Sequence, residues 1–517
     1  LQVRHLPRAG EADDQSAPAG ANVTTIDNAS VAMTASPEAP RVPHNRRRIA
    51  ANFAAMAGSN GLGLVITILI SIYVRRALGP AAIGQVSWNM AVIAYLGLIA
   101  NPGLQVIGQR ELSKHPANAA ELTSLILCLQ TLFALLAYGA AVAIAALEPR
   151  GPQVSALLLI QALSLFFTAW NPVWALQAYE RMVAPSLVSI VFNALQFPAL
   201  VLLVHSPADV YFYVLCSLPP LLLSAAYNFW YLSRSGLLPL GSLRWTLAGT
   251  RSCLEAAWPL ALSAVAIVVY YNCGALILGF THGDAEVGQY ATAFRLMLVA
   301  NVVTGAIWGA YLPALTRAHG DPEHAAQVSR ELTGLLAWLG FPIAMLGWAF
   351  GRHVVAVMYG PAFAEAGVYF EWMCLNIAVV FLNYGIASAL VAWGFQKIHF
   401  KITGAAALVN LALNLAVIPI YGAWGAIVST MLAEVIILVL SVIVRRRIRI
   451  GWHPLLGMVA PPALCSVAVA LAARLLPSSL SRYWWLELAL ATLVLGGCLV
   501  TFERKAVLAA TRQLRRA

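Results

Sequence analysis

Charge is scarce in this sequence. Only 10% of its 517 residues are Asp, Glu, Lys or Arg, against roughly 25% in a soluble domain, so water is not the main solvent of this chain. Long polar connections are missing too. The longest lie near 105–121, 233–254, 314–331 and 351–367, too short to hold a soluble catalytic domain. No Gly-x-x-x-x-Gly-Lys-Ser/Thr phosphate loop occurs, which excludes ATP hydrolysis by the chain itself. The seven cysteines are scattered and none forms a Cys-x-x-Cys pair, which argues against a metal or disulfide framework; no cofactor is expected. Alternating strand patterns are lacking, which argues against an outer-membrane barrel. Residues 1–40 have no apolar h-region; rich in Ala, Pro, Ser, Asn and Asp, they belong to a disordered cytoplasmic tail over 1–45 rather than to a signal peptide.

What the sequence has in abundance is apolar surface: 60% of residues are hydrophobic and the mean hydropathy is +0.76. Stretches of about 20 residues, enough to cross a hydrocarbon core, recur near 53–74, 82–104, 122–147, 154–177, 184–204, 209–232, 255–280, 290–313, 332–350, 368–392, 402–420, 422–444, 455–476 and 483–502. An all-α integral membrane protein of about fourteen transmembrane helices is expected. Orientation follows from the basic residues. With the N-terminus inside, only Arg75, Arg76, Arg150, Arg352, Arg474 and Arg482 fall outside; nearly all the rest, including Arg46 to Arg48, Arg445 to Arg447 and the basic tail over 504–517, fall inside. Both termini are then cytoplasmic, and the net charge of +11 reflects the positive-inside bias rather than nucleic-acid binding.

One seven-residue phrase occurs twice, as Gly79-Pro80-Ala81-Ala82-Ile83-Gly84-Gln85 and as Gly283-Asp284-Ala285-Glu286-Val287-Gly288-Gln289. Each copy is a Gly-bounded turn between two apolar segments. A weaker echo pairs Glu180-Arg181 and Asn193 with Gln396-Lys397 and Asn410. Two pseudo-symmetric six-helix lobes follow, 46–232 and 255–445, joined by a cytoplasmic linker over 233–254. Two extra C-terminal helices occupy 446–503. Six spans per repeat is an even number, so the pseudo-twofold axis runs along the membrane normal.

Several segments resemble the polysaccharide transporter family, the Wzx-type oligosaccharide flippases of the multidrug/oligosaccharidyl-lipid/polysaccharide exporter superfamily. Arg76-Ala77-Leu78-Gly79-Pro80 with Gly84 resembles its R-x-L-G-P…G turn. Trp174 to Met182 is similar to its W-x-x-Q-G-x-E-x-M segment, with Ala178 in place of the usual Gly. Val287-Gly288-Gln289-Tyr290 through Phe294, Pro313, and the run Asn410…Asn414…Ile418-Pro419-Ile420-Tyr421-Gly422 with Gly425-Ala426 fit the same pattern, over about residues 49–445. One departure stands out: the Asp and basic residue common in the seventh helix are absent from Asn272-Cys273-Gly274. The resemblance implies flipping of an undecaprenyl-diphosphate-linked oligosaccharide across the bacterial inner membrane for surface or exopolysaccharide assembly, by alternating access through a cationic and aromatic cavity. It also implies membrane lipids as surroundings, and the polymerase and export proteins of the same pathway as candidate partners.

Such a cargo calls for cationic donors to the diphosphate and flat side chains for sugar faces. Arg295, about five residues inside span eight, is the first candidate, since charge at that depth is usually functional; snorkelling is its bland alternative. Arg76, at the outer end of span one, is the second, with a structural lock on the Gly-Pro turn as its alternative. Asn301, Thr304, Trp308 and Tyr311 form one stripe on span eight. Trp170, Trp174 and Gln177 share a face of span four, and Asn60, Thr67, Ser71 and Arg75 one of span one; these stripes could line a cavity or join helices. Among the acids within spans, Glu371, Glu434 and Glu487, the deepest is Glu434, the candidate for ion coupling. Asn410 and Asn414 are expected to fix packing.

Rival readings remain. A glycosyltransferase would use an acidic pair such as Asp284-Ala285-Glu286, but its counterpart in the first copy is Pro80-Ala81-Ala82 and no soluble domain accompanies it; no enzyme activity is expected. A cation-coupled multidrug antiporter of the same superfamily would be expected to keep buried acids in the first lobe, and spans one to six carry none. A peptidoglycan-precursor lipid flippase is the nearer alternative.

Overall fold

The computed structural model describes residues 46–238, 249–448, 455–475 and 484–502. The tails expected over 1–45 and 504–517 and residues 239–248 of the 233–254 linker lie outside the described residues, as does the Asn60 side chain. Every regular element described is helical: α1 (Arg46–Ala100), α2 (Leu104–Lys114), α3 (Ala119–Leu147), α4 (Pro152–Ala162), α5 (Ser164–Ala169), α6 (Val173–Ala178), α7 (Val183–Leu203), α8 (Val210–Arg234), α9 (Thr250–Thr281), α10 (Asp284–Arg317), α11 (Pro322–Tyr359), α12 (Ala364–Ala392), α13 (Gln396–Tyr421), α14 (Ala423–Ile448), α15 (Leu456–Leu475) and α16 (Trp484–Phe502). Thirteen helical stretches among the described residues are long and apolar enough to cross a membrane. The first of them is double, because α1 breaks at Gly79 and Pro80 opens a second limb. With that break, each apolar stretch in the sequence has its span.

The two repeat turns adopt the same backbone. Gly79 has φ 74° and ψ 175°; Gly283 has φ 86° and ψ 176°, a region that glycine enters without steric cost. A helix starts at once after each. Pro80 loses nothing there, because the first N–H of a helix has no intrahelical partner, while Asp284 and Glu286 place negative charge at the positive end of the α10 dipole. Gly151, before α4, and Gly360, before the 3-10 turn Pro361–Phe363 that leads into α12, repeat this geometry. Hairpins one–two, three–four, seven–eight and nine–ten therefore share one turn, a symmetry wider than the seven-residue phrase.

At this end of the molecule the two copies touch. A side chain added at Gly84 would overlap the carbonyl oxygen of Asp284 and come within 3.0 Å of the Gly288 amide nitrogen. One added at Gly288 would overlap the carbonyl of Pro80, 3.0 Å from the Gly84 nitrogen. The approach is reciprocal, each glycine meeting the carbonyl four residues before the other, as a pseudo-twofold axis between them requires. Elsewhere on α1 and α10, glycines 61, 63, 305 and 309 face open space, with nothing within 4 Å of an added side chain.

The lipid-facing surface is apolar. On α7, Leu187, Val191 and Leu195 are exposed and share one side of the helix. The last two helices pack on α11. The tie of α15 is Glu371 of α12, whose buried carboxylate accepts Arg352 Nε at 2.9 Å and Arg474 Nη2 of α15 at 3.1 Å. Arg474 also lies over the Trp348 ring, 3.8 Å from its centroid. Glu371 is thereby assigned to holding helices together.

Candidate functional site

The two limbs of α1 face α9 and α10 across a central cavity of about 360 Å³. Thr67, Ser71 and Arg75 line it from the first limb; their i, i+4, i+8 spacing puts them on one face. Tyr271 and Asn272 enter from α9, Tyr290, Phe294 and Arg295 from α10, and Tyr213 from α8. Arg75 and Arg295 are the charged residues of this lining, one from each lobe, and no carboxylate accompanies them.

Arg75 also belongs to the closure between the lobes. Its Nε donates to Thr292 Oγ1 of α10 at 3.0 Å and its Nη1 to Ser71 Oγ at 2.5 Å. The Ser71 hydroxyl lies 3.2 Å from that of Tyr359, and the Arg75 guanidinium sits 5.3 Å from the Tyr359 ring centroid. Arg76 points elsewhere. It donates to the carbonyls of Val357 and Met358 in the last turn of α11, where basic side chains satisfy otherwise unpaired helix-end groups. A further tie comes from Arg150, after α3. It binds Glu148 at 2.7 Å and Asp284 at 3.2 Å and stacks on Trp88 with 3.6 Å to the centroid. Trp88 in turn donates to the Leu276 carbonyl of α9 at 3.1 Å. Glycines, hydrogen bonds and one ion pair thus join the lobes at the end that carries the repeat turns, while at the opposite end Leu104 and Ile107 of α2 share a core with Cys253 and Ala257 of α9.

The other sequence candidates are dispersed. Arg295 lines the cavity, but Asn301 and Trp308, further along α10, are not part of its lining; Asn301 Oδ1 and Trp308 Nε1 are buried without a hydrogen-bond partner among the described residues. Trp170 is 40% exposed and donates to Thr131 Oγ1 at 2.9 Å. Trp174 is buried in a core with Ile107, Ile126 and Leu129 and packs on Gly108, where an added side chain would meet its ring at 2.8 Å. Gln177, half-buried in α6, is not among the cavity residues. Glu434 is buried between three helices: its Oε1 accepts from Tyr270 OH of α9 at 2.6 Å and its Oε2 from Asn383 Nδ2 of α12 at 2.7 Å. Asp284 and Glu286, the pair a transferase reading would need, are both in structural use: Glu286 Oε1 accepts the Ala423 amide at 2.7 Å at the start of α14. Asn410 and Asn414 join each other at 2.9 Å, and Asn414 reaches Cys273 Sγ of α9 at 3.0 Å.

Arg75, which the sequence places on the Thr67–Ser71 stripe, is the cavity cation of span one in place of Arg76. The signal was its register with Thr67 and Ser71, since the next residue, Arg76, is turned by about 100°.

Comparison with known proteins agrees with this architecture. Residues 74–367 match the family model described as polysaccharide biosynthesis protein. A protein of Shigella dysenteriae named as an O-antigen transporter is 22% identical over 384 residues, covering 73% of this chain and 95% of its own length. One of Haloferax volcanii named as a flippase is 24% identical over 412 residues, 76% of this chain and 83% of that protein. Among solved structures, the lipid II flippase MurJ in an inward closed conformation superposes with a TM-score of 0.70 at 12% identity, over 89% of this chain and 100% of the other; at that identity the likeness concerns the fold. Since the family model spans more than half of the sequence, this multi-pass membrane chain belongs to the polysaccharide biosynthesis protein family.

Proposed function

We propose that this protein flips a polyprenyl-diphosphate-linked oligosaccharide, of the undecaprenyl type in bacteria, from the cytoplasmic to the outer leaflet of the inner membrane. The observation that carries this reading is the pair Arg75 and Arg295 in one cavity without a carboxylate. A guanidinium donates two parallel hydrogen bonds to phosphate oxygens, and two of them across the cavity match a diphosphate. A cationic drug would meet like charge at the same place, which disfavours the antiporter reading. The names of the relatives support a glycan-linked cargo.

The positive-inside bias puts the end with the repeat turns and their cross-lobe contacts outside, so the cavity is closed outward. Alternating access then requires the contacts of Arg75, Arg76, Ser71 and Arg150 to break together. Each hydrogen bond contributes about 1 kcal/mol net, a scale at which a bound ligand can shift two states. Arg75 gives the ligand its leverage, because a phosphate oxygen competes with Thr292 and Ser71 for its N–H groups. Deleting the gene is expected to make a lipid-linked oligosaccharide accumulate in the cytoplasmic leaflet while surface polymer is lost. Intact surface polymer without accumulation would refute the assignment.

Glu434 fits a coupling role. Its partner Tyr270 packs edge-on to Tyr271, ring centroids 5.2 Å apart, and Tyr271 lines the cavity, so a proton or sodium ion taken up at the carboxylate would be felt there. Glu434→Gln is expected to remove the dependence of flipping on an imposed ion gradient in proteoliposomes. A variant that responds to the gradient as the wild type does would end that role.

A further inference from the structure

The central cavity continues into the N-lobe, where the chemistry changes. A second cavity of about 400 Å³ lies between the first limb of α1, the break between α5 and α6, and helices α7 and α8. Its polar lining is Asn171, Ser186, Ser189, Asn193, Ser224 and Asn228, with Thr67; no charged residue joins them. Thr67 lines both this cavity and the central one, so the two are adjacent compartments of one space. A third, of about 230 Å³, shares Asn193 with the second and Val86, Met90 and Tyr213 with the first, and also has no charged lining.

The placement follows from sequence. On α7, Ser186, Ser189 and Asn193 share a face that lies opposite the lipid-facing Leu187, Val191 and Leu195. On α8, Ser217, Ser224 and Asn228 lie on one stripe. Span four unwinds at Trp170-Asn171-Pro172, and Asn171 Oδ1 accepts the Val173 amide at 3.2 Å and Asn228 Nδ2 at 2.8 Å. Asn228 is 2% exposed, lines the cavity, and its Oδ1 has no hydrogen-bond partner among the described residues. A buried amide oxygen left unpaired costs about 1–3 kcal/mol, and a donor arriving with a ligand removes that cost.

We infer that this uncharged N-lobe compartment is the glycan subsite: it takes neutral, hydroxyl- and acetamido-bearing sugar rings while Arg75 and Arg295 hold the diphosphate. This assignment rests on the flippase reading and divides its cargo between two compartments. Amides and hydroxyls both donate and accept, which suits sugar hydroxyls in any rotamer. The absence of Lys and Arg from the lining gives a uronate no counter-charge, so neutral rings are the favoured occupants.

Binding of two probes to the purified full-length protein in micelles tests it: undecaprenyl diphosphate, and undecaprenyl diphosphate bearing a neutral trisaccharide of N-acetylglucosamine and hexoses. Wild type is expected to bind the glycosylated probe at least about tenfold more tightly. Ser189→Ala with Asn193→Ala is expected to erase that advantage while bare diphosphate binds within about twofold of wild type, which also shows that the variant is folded. Arg295→Ala is expected to weaken both probes alike. If the double variant weakens both probes equally, or leaves the advantage intact, the subsite is refuted and the flippase reading stands. If wild type binds neither probe, both fail.

Discussion

Gly84→Ala is expected to abolish export of the surface polymer in a strain that depends on this protein, and Gly288→Ala to do the same. The methyl group would occupy the position of a backbone carbonyl oxygen, that of Asp284 in one case and of Pro80 in the other. Neither obstacle is a flexible side chain that could turn aside, so the helices must move apart. Overpacking of this kind costs about 3 kcal/mol, which lowers the population of the outward-closed state roughly a hundredfold. A cysteine at Ala94, which lines the central cavity, reports the change in a background freed of the native cysteines. It should react with a membrane-impermeant maleimide from outside in Gly84→Ala and be protected in the otherwise wild-type chain. Export and labelling both at wild-type levels would show that the crossing is not the outer closure.

Arg75→Ala and Arg295→Ala should each reduce export by about ten- to a hundredfold, the equivalent of one charge-assisted hydrogen-bonding group to phosphate. Their side effects should differ. Arg75 holds Thr292 and Ser71 as well as facing the cavity, so its loss should also raise outside labelling of the Ala94 position. Arg295 makes no such bridge among the described residues; its loss should weaken substrate binding and leave the labelling pattern alone. Full export by either variant at normal expression would remove that arginine from the site.

Much of this architecture was legible in the sequence because bilayer thickness imposes a length on every span. The repeat was legible at hairpins one–two and seven–eight, where glycines are needed both for the turn and for the crossing. It was silent at Gly151 and Gly360, where only the turn conformation recurs and the flanking residues were free to diverge. Of the candidate cations, Arg295 reached the cavity because α10 is continuous there. Arg76 did not, because its neighbour Arg75 carries the register of Thr67 and Ser71, and adjacent helical positions face different ways. Aromatic residues misled for a related reason: Trp174 satisfies the same helical spacing whether it faces a cavity or a neighbouring helix, and Gly108 provided the niche. The N-lobe compartment was the least visible, since Ser and Asn scattered over the α5–α6 break, α7 and α8 form no local motif and meet only in three dimensions.

The reciprocal glycine crossing also bears on leakage. A barrier made from charged side chains weakens as the bathing medium changes: the Arg150–Asp284 pair is screened by salt, over a Debye length near 8 Å at physiological ionic strength. Backbone pressed against backbone contains nothing that titrates and nothing for an electrolyte to screen. In the proposed orientation this end faces a variable exterior, and the backbone crossing is the part of its seal least able to sense that medium, so salinity outside should leave the membrane's ion gradients intact through this protein.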